Sequence, residues 1–317
     1  MDATYSDTAV PSTHAPKYSV APSVRCIPLN DLPKIKQQQL GYVVVGSGKT
    51  GIDACLWLLT HGVTPASIRW IMPRDAWLLD RANVQPGNEF FVASFGSVAR
   101  RFEILAAAES VPDLFKRLNA AGELLRIDDR VLPTVYRCAT VTKAELSQLR
   151  RIEGIVRLGH VHAVEATQIV LEHGSVPKST ETLVVDCSAR AIPQRPALPV
   201  WAVDRITLQF VRICQPTFSA AFIAHVEATF HDDAEKNFLC APIPPPYLDI
   251  DWLRMLAVDM ANRRKWSQHE NLVKWLSKSR LNSLFHMRSL DGRKVVICAS
   301  TIALRPRALR PVCSREN

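Results

Sequence analysis

Gly46, Ser47, Gly48, Lys49, Thr50 and Gly51 put three glycines at the spacing G-x-G-x-x-G. Each glycine in that pattern answers its own steric demand. The first permits a tight turn out of a strand, the second lets backbone approach a diphosphate, and the third lets a helix pack close to the strand. A helix opening at this point directs unpaired N–H groups and the positive end of its dipole at a bound anion. Ser47 and Thr50 add hydroxyl donors, and Lys49 adds a cation. The chemistry spelled by these residue types is the holding of a dinucleotide's phosphates.

The setting of the motif makes it specific. Tyr42-Val43-Val44-Val45 reads as a buried parallel strand. Ile52, Cys55, Leu56 and Leu59 recur at helical spacing, and His61-Gly62 closes that helix. After a turn through Pro65, Ile68–Met72 reads as a second strand. Strand, glycine turn, helix and strand make a βαβ unit with an expected right-handed crossover. Gly48-Lys49-Thr50 also matches the end of a P-loop, but that motif needs a glycine at position 43, where Val43 stands inside the strand.

The residues after the second strand select the coenzyme. A carboxylate there accepts hydrogen bonds from the ribose of NAD, whereas an arginine pairs with the 2′-phosphate of NADP. Pro73-Arg74-Asp75 offers both: Arg74 favours NADP and Asp75 keeps NAD open. The plainer use of Arg74 is a surface ion pair with Asp75 or Asp80. Asp53, in the first helical turn, suits the dipole but repels phosphate, so it reads as a solvated helix-end residue.

Around this unit the chain reads as three regions. Residues 1–40 are an irregular linker punctuated by Pro11, Pro16, Pro22, Pro28 and Pro33, with short extended pieces at Tyr18–Val20 and Val24–Ile27 suited to a sheet edge. Residues 41–190 form the α/β part. Within it, 82–150 is mainly helical and looped, with Pro112 in the first turn of one helix and a capping box from Thr142 to Glu145 opening another. Ile155–Val164, Gln168–Leu171 and Thr182–Cys187 read as strands, with a turn at His173-Gly174. Residues 191–317 are mainly helical, over 206–230 and 251–285, around a proline-rich loop at 242–246. The tail bearing Arg305, Arg307, Arg310 and Arg315 is expected to be mobile.

Composition bounds the function. Apolar residues make 47% and charged residues 22% of the 317, an ordinary globular balance. The net charge of +9 attracts anions. Its lysines and arginines are dispersed without aromatic interleaving, which argues against a nucleic-acid partner. Eight cysteines occur without any C-x-x-C pair, so no zinc ribbon or dithiol motif is indicated. Buried free thiols suit a reducing compartment. No apolar run reaches the roughly 20 residues of a membrane span, and Met1–Tyr5 does not open a secretory leader. The reading is a cytoplasmic protein with no membrane partner.

Other candidates have bland readings. His160 and His162 share a strand face, but spacing offers no third ligand, so no metal is expected. His225 and Glu227 do not face each other on a helix. Trp252, Trp266 and Trp275 read as packing residues, and Arg126 and Arg130 as a solvated face. There is no G-x-S-x-G and no H-E-x-x-H, and no catalytic residue is assigned.

Tyr42–Leu59 (YVVVGSGKTGIDACLWLL) and Ile68–Arg81 (IRWIMPRDAWLLDR) together resemble a group of NAD(P)/FAD-dependent oxidoreductases similar to flavin-containing monooxygenases and pyridine-nucleotide oxidoreductases. Thr182–Ala189 (TLVVDCSA) resembles the turn by which such chains return from the nicotinamide domain to the flavin domain, and Asp2-Ala3-Thr4-Tyr5 the matching turn on the way out. Ile206–Phe230 also resembles that group. The resemblance implies a Rossmann-like three-layer dinucleotide-binding domain at 41–190, with 1–40 a remnant of the crossover from the flavin domain. It further implies NADPH that donates hydride to FAD, and a small-molecule substrate. The family's earlier flavin-holding G-x-G-x-x-G has no counterpart ahead of Met1. That implies a truncated relative, a partial gene model or a degenerate copy. Two functions follow: an NADP-dependent, monooxygenase-like flavoprotein or its surviving portion, and a catalytically silent NADP-binding or interaction module. A third is an anion-binding protein using its basic surface.

Overall fold

A computed structural model describes residues 1–85, 88–189 and 192–282. The arginine-bearing tail, Cys298 and Cys313 lie outside the described residues. The fold is α/β.

Tyr42–Val45 lies in a strand, Gly41–Val45, whose valines are all buried. Burial on both faces is the rule for an inner strand of a parallel sheet. Five strands line up in the order Cys26–Pro28, Thr182–Asp186, Gly41–Val45, Ile68–Ile71, Gly154–Val156, and every neighbouring pair is parallel. Register sets Val45 level with Asp186 on one side and Ile71 on the other. Asp186 is level with Pro28, and Ile71 with Val156. All five carboxyl ends therefore finish along one edge.

Alternation along the strands assigns the two faces. Val43, Val45, Ile71 and Val184 pack with Tyr18, Val164, Ile169 and Leu171. The last three belong to a second, four-stranded sheet ordered Ser19–Val20, Val161–Val164, Gln168–Leu171, Gly174–Pro177. Trp70 points the opposite way, toward the helix Lys49–Thr60, where its indole meets the Gly46 carbonyl. The helix is anchored through buried Ile52, Cys55 and Leu58. Each fully buried side chain of this kind contributes roughly 1.5–3 kcal/mol, which a helix this short needs, because alone it is marginal in water. The layers are thus helix, parallel sheet and small sheet.

The chain divides into two compact units. The first holds Met1–Leu79 and Arg126–Trp266, and carries all of the sheets just described. It also contains the helices Pro216–Thr229, Asp233–Leu239 and Ile250–Trp266. Trp252 and Trp266 are buried there, and Trp266 packs against Phe222 with ring centroids 4.3 Å apart. Among the described residues the second unit holds Asp80–Leu125 and Ser267–Asn282, with helices Phe91–Ala107, Val111–Ala120 and Glu270–Lys278. Its fully buried Glu123 receives Arg100 Nε at 2.8 Å and Arg101 Nε at 2.9 Å, and the Ser97 hydroxyl as well.

Three expectations change. The stretch read as helices and loops also supplies a strand, Val135–Val141, and pairs it with Ala76–Asp80. Ala76–Asp80 is buried throughout, so it lacks the two-residue alternation that marks a half-exposed strand. The single strand expected over Ile155–Val164 is two, in different sheets, because Gly159 turns the chain with φ +80°. Finally, Cys138 and Cys214 form a disulfide across 76 residues, with Cα atoms 6.3 Å apart. Absence of C-x-x-C carries no information about pairs so distant in sequence. Cys26, Cys55, Cys187 and Cys240 are free.

Candidate functional site

The three motif glycines meet different surroundings. Gly46 leaves the strand with φ +123°, and a Cβ there would lie 2.8 Å from the Cys187 carbonyl carbon. Gly51 is buried in the first helical turn, and its Cβ would come within 3.0 Å of the Gly46 carbonyl carbon and 3.3 Å of Trp70 Nε1. That same indole donates to Gly46 O at 2.8 Å, which fixes the carbonyl beneath Gly51. Both glycines are explained by the packing of the protein itself.

Gly48 is not. Its backbone, φ −82° and ψ −177°, suits any residue. Among the described residues, and apart from its own turn and helix, a Cβ on Gly48 would approach only Arg137 Nη1, at 4.0 Å. The side chain that Gly48 lacks would enter open space over the helix start.

The helix begins at Lys49 with Gly48 as its N-cap. Glycine brings no side-chain acceptor, and no acidic residue stands in the first turn. Amides at the start of the helix therefore have no capping oxygen from that residue, and an anion suits them on both hydrogen-bonding and dipole grounds. Ser47 is buried and Thr50 exposed. Lys49 Nζ pairs with Asp53 one turn on. Asp53 is thus an ion-pair partner of Lys49 and not simply solvated, though such half-exposed pairs contribute little.

The topology puts this turn at a reversal. From Gly41–Val45 the chain steps outward through Ile68–Ile71 to Gly154–Val156, then returns to the other flank with Thr182–Asp186. The carboxyl ends on either side of the reversal carry Gly46 and Cys187, whose backbones lie close together. In open parallel sheets such a crevice is where ligands settle.

Arg74 lies three residues past Ile71 on the neighbouring strand. Its Nη2 donates to the Tyr247 hydroxyl at 2.5 Å, and its guanidinium carbon sits 4.4 Å from that ring's centroid. The pairing with Asp75 or Asp80 does not form. Asp75 is buried and gives both oxygens to Arg157, with Nε–Oδ2 at 2.7 Å and Nη2–Oδ1 at 3.0 Å. That bidentate bond, more than the attraction of the charges, holds the Arg157 guanidinium above its usual range. The carboxylate left open to a ribose by the sequence is thereby occupied.

The remaining candidates have local partners. Arg130 grips Asp128 through two nitrogens at 3.0 and 3.1 Å, and this bond first of all holds the Asp128 carboxyl down to about 2. Arg126 lies 3.6 Å from Asp129. His160 Nδ1 lies 3.3 Å from Glu172, and Glu227 accepts from Trp201 Nε1 at 2.6 Å and Lys236 at 2.7 Å. Among the described residues no group of three or more His, Cys, Asp or Glu side chains is placed to hold a metal ion. Nor, among them, is any helix long and apolar enough to cross a membrane.

Sequence reasoning missed Arg137, Arg157 and Tyr247. Arg137 lies within Val-Tyr-Arg-Cys-Ala-Thr-Val, a β-rich run whose strand character was the available signal. Nothing in local spacing joins Tyr247 to Arg74, 173 residues away.

The sequence is 54% identical over 284 residues to an uncharacterized protein of Mycobacterium bovis and to uncharacterized proteins of two Mycobacterium tuberculosis strains. The match covers 90% of this chain and 53% of each relative, so the chain spans about half the length of the curated relatives it matches. No family model matches the sequence, and no solved structure matches it.

Proposed function

We propose that this chain binds a nicotinamide dinucleotide, NADP in preference to NAD, through a Rossmann-like domain. The diphosphate lies against Gly48 and the opening turn of the Lys49–Thr60 helix. One observation carries the reading: Gly46 and Gly51 are required by contacts within the protein, whereas among the described residues a Cβ at Gly48 would meet only open space beside a cation. A ligand that needs the backbone bare accounts for that glycine. Ser47, Lys49 and Thr50 surround the same turn, and Arg137 adds positive charge over it. The preference for NADP rests on Asp75 being taken by Arg157, which leaves Arg74 as the charged group offered to the adenosine ribose.

Arg74→Ala tests the coenzyme assignment. Loss of a charge-assisted contact with the 2′-phosphate, about 1.5–3 kcal/mol, weakens NADPH roughly tenfold or more and leaves NADH nearly unchanged. Equal weakening of both would refute it.

A flavin oxidoreductase is the second reading, and a specific contact favours it. Asp2 N donates to Ile206 O at 2.7 Å and Leu208 N to Asp2 O at 2.9 Å, so the chain ahead of the parallel sheet and the chain that follows it run side by side. Such pairing suits a domain inserted into another. The residues of this chain do not fit FAD in the same manner, because its sequence carries one G-x-G-x-x-G, and we derive no flavin step. Titration with FAD, followed by flavin absorbance and NADPH oxidation, separates an enzyme from a binding module: bound flavin with turnover supports the former, and NADPH binding without either supports the latter.

A further inference from the structure

We propose that Tyr247 is a positioning residue that holds Arg74 for the 2′-phosphate of the dinucleotide and so sets the preference between phosphorylated and plain ribose. This rests on the dinucleotide reading above. A guanidinium on a long, flexible stem binds a phosphate well only where its orientation is fixed in advance. Tyr247 fixes it twice: the ring lies under the guanidinium, 4.4 Å from its carbon, and the hydroxyl accepts from Nη2 at 2.5 Å. Among the described residues one of the guanidinium's five donors is used in this way, which leaves four to face a phosphate. Cation–π attraction holds one face of the plane while the donor edge stays available.

Tyr247 is itself held. It follows Pro244-Pro245-Pro246, whose fixed φ angles stiffen the approach. Its amide donates to Asp251 Oδ2 at 3.0 Å, and that of Leu248 to the same oxygen at 2.9 Å. Asp251 in turn pairs with Arg254 at 2.8 Å. Leu248 also forms a bridge with Val135, two residues before Arg137. One backbone contact thus joins the loop that orients Arg74 to the strand that brings Arg137 over Gly48.

The test uses the full chain and two probes, adenosine 2′,5′-bisphosphate and adenosine 5′-monophosphate, titrated into wild type, Tyr247→Phe and Tyr247→Ala. In Tyr247→Ala we expect bisphosphate affinity to fall about tenfold with monophosphate affinity unchanged. In Tyr247→Phe, which keeps the ring beneath the guanidinium, the loss is smaller. Equal weakening of both probes, or no weakening of either, would overturn the assignment. The phenylalanine variant keeps the answer readable if truncation to alanine disturbs the loop. Should the wild type bind neither probe, the dinucleotide reading falls, and this one with it. A wild type that prefers the bisphosphate while both variants match it removes Tyr247 alone.

Discussion

Replacing Gly48 by alanine separates the ligand from the fold. The backbone there is open to any residue, and the new methyl lies 4.0 Å from Arg137 Nη1, an ordinary contact. Two fold-side effects oppose each other. Alanine is a poorer N-cap than glycine by about 1 kcal/mol, while the stiffer unfolded chain returns about 0.4–1 kcal/mol. The net is within about 1 kcal/mol, a melting shift of no more than about 2–4 °C. On the ligand side, the methyl stands where a diphosphate oxygen must approach and forfeits a charge-assisted hydrogen bond. That costs about 1.5–3 kcal/mol, or roughly tenfold to a hundredfold in Kd for NADPH. Gly51→Ala is the control with the opposite signature: its methyl meets the Gly46 carbonyl that Trp70 holds in place, and such overpacking costs roughly 1–3 kcal/mol. The assay is a thermal melt of each variant with and without NADPH, beside a calorimetric titration. If Gly48→Ala melts like wild type and binds NADPH with wild-type affinity, the placement of the diphosphate is refuted.

Two further outcomes are expected. The Cys138–Cys214 bond closes a loop of 76 residues, for which chain entropy gives at most about 4.5 kcal/mol of stabilisation. Alkylation under denaturing conditions without reductant should leave Cys138 and Cys214 unlabelled, and Cys214→Ser should lower the melting temperature; complete labelling of Cys138 would contradict the bond. Burial pushes the Cys26 thiol up to about 11 and raises Cys55 and Cys187 as well. Since the thiolate is the reactive form, these three should resist iodoacetamide in the native protein near about pH 8. Because its folded value is raised, the stability Cys26 contributes is complete below the ordinary thiol range of about 8.5 and is lost as pH climbs toward about 11. Rapid labelling of Cys26 at about pH 8 would count against its half-buried placement beside Tyr18.

The βαβ unit was legible because its signals are local. The valine run, the glycine spacing and the helix ending at His61-Gly62 each act within a few residues, and the strand and helix bounds fall close to those expected. The capping box at Thr142 was legible for the same reason, and so were the two short edge strands near Tyr18 and Cys26. What escaped was set by distance or by full burial. Ala76–Asp80 has no exposed face to create a pattern. The disulfide, the Asp75–Arg157 pair and the Arg74–Tyr247 stack join residues 76, 82 and 173 positions apart. Arg74 and Asp75 stand side by side in sequence, so their roles are decided by which distant partner each one meets.

Calorimetric titration of the folded chain with NADPH tests the central claim most directly. Saturable heat at one site per chain, tighter than for NADH and weakened by rising salt as phosphate contacts demand, is the predicted result. A flat titration with both coenzymes, on protein shown by its melt to be folded, would contradict it.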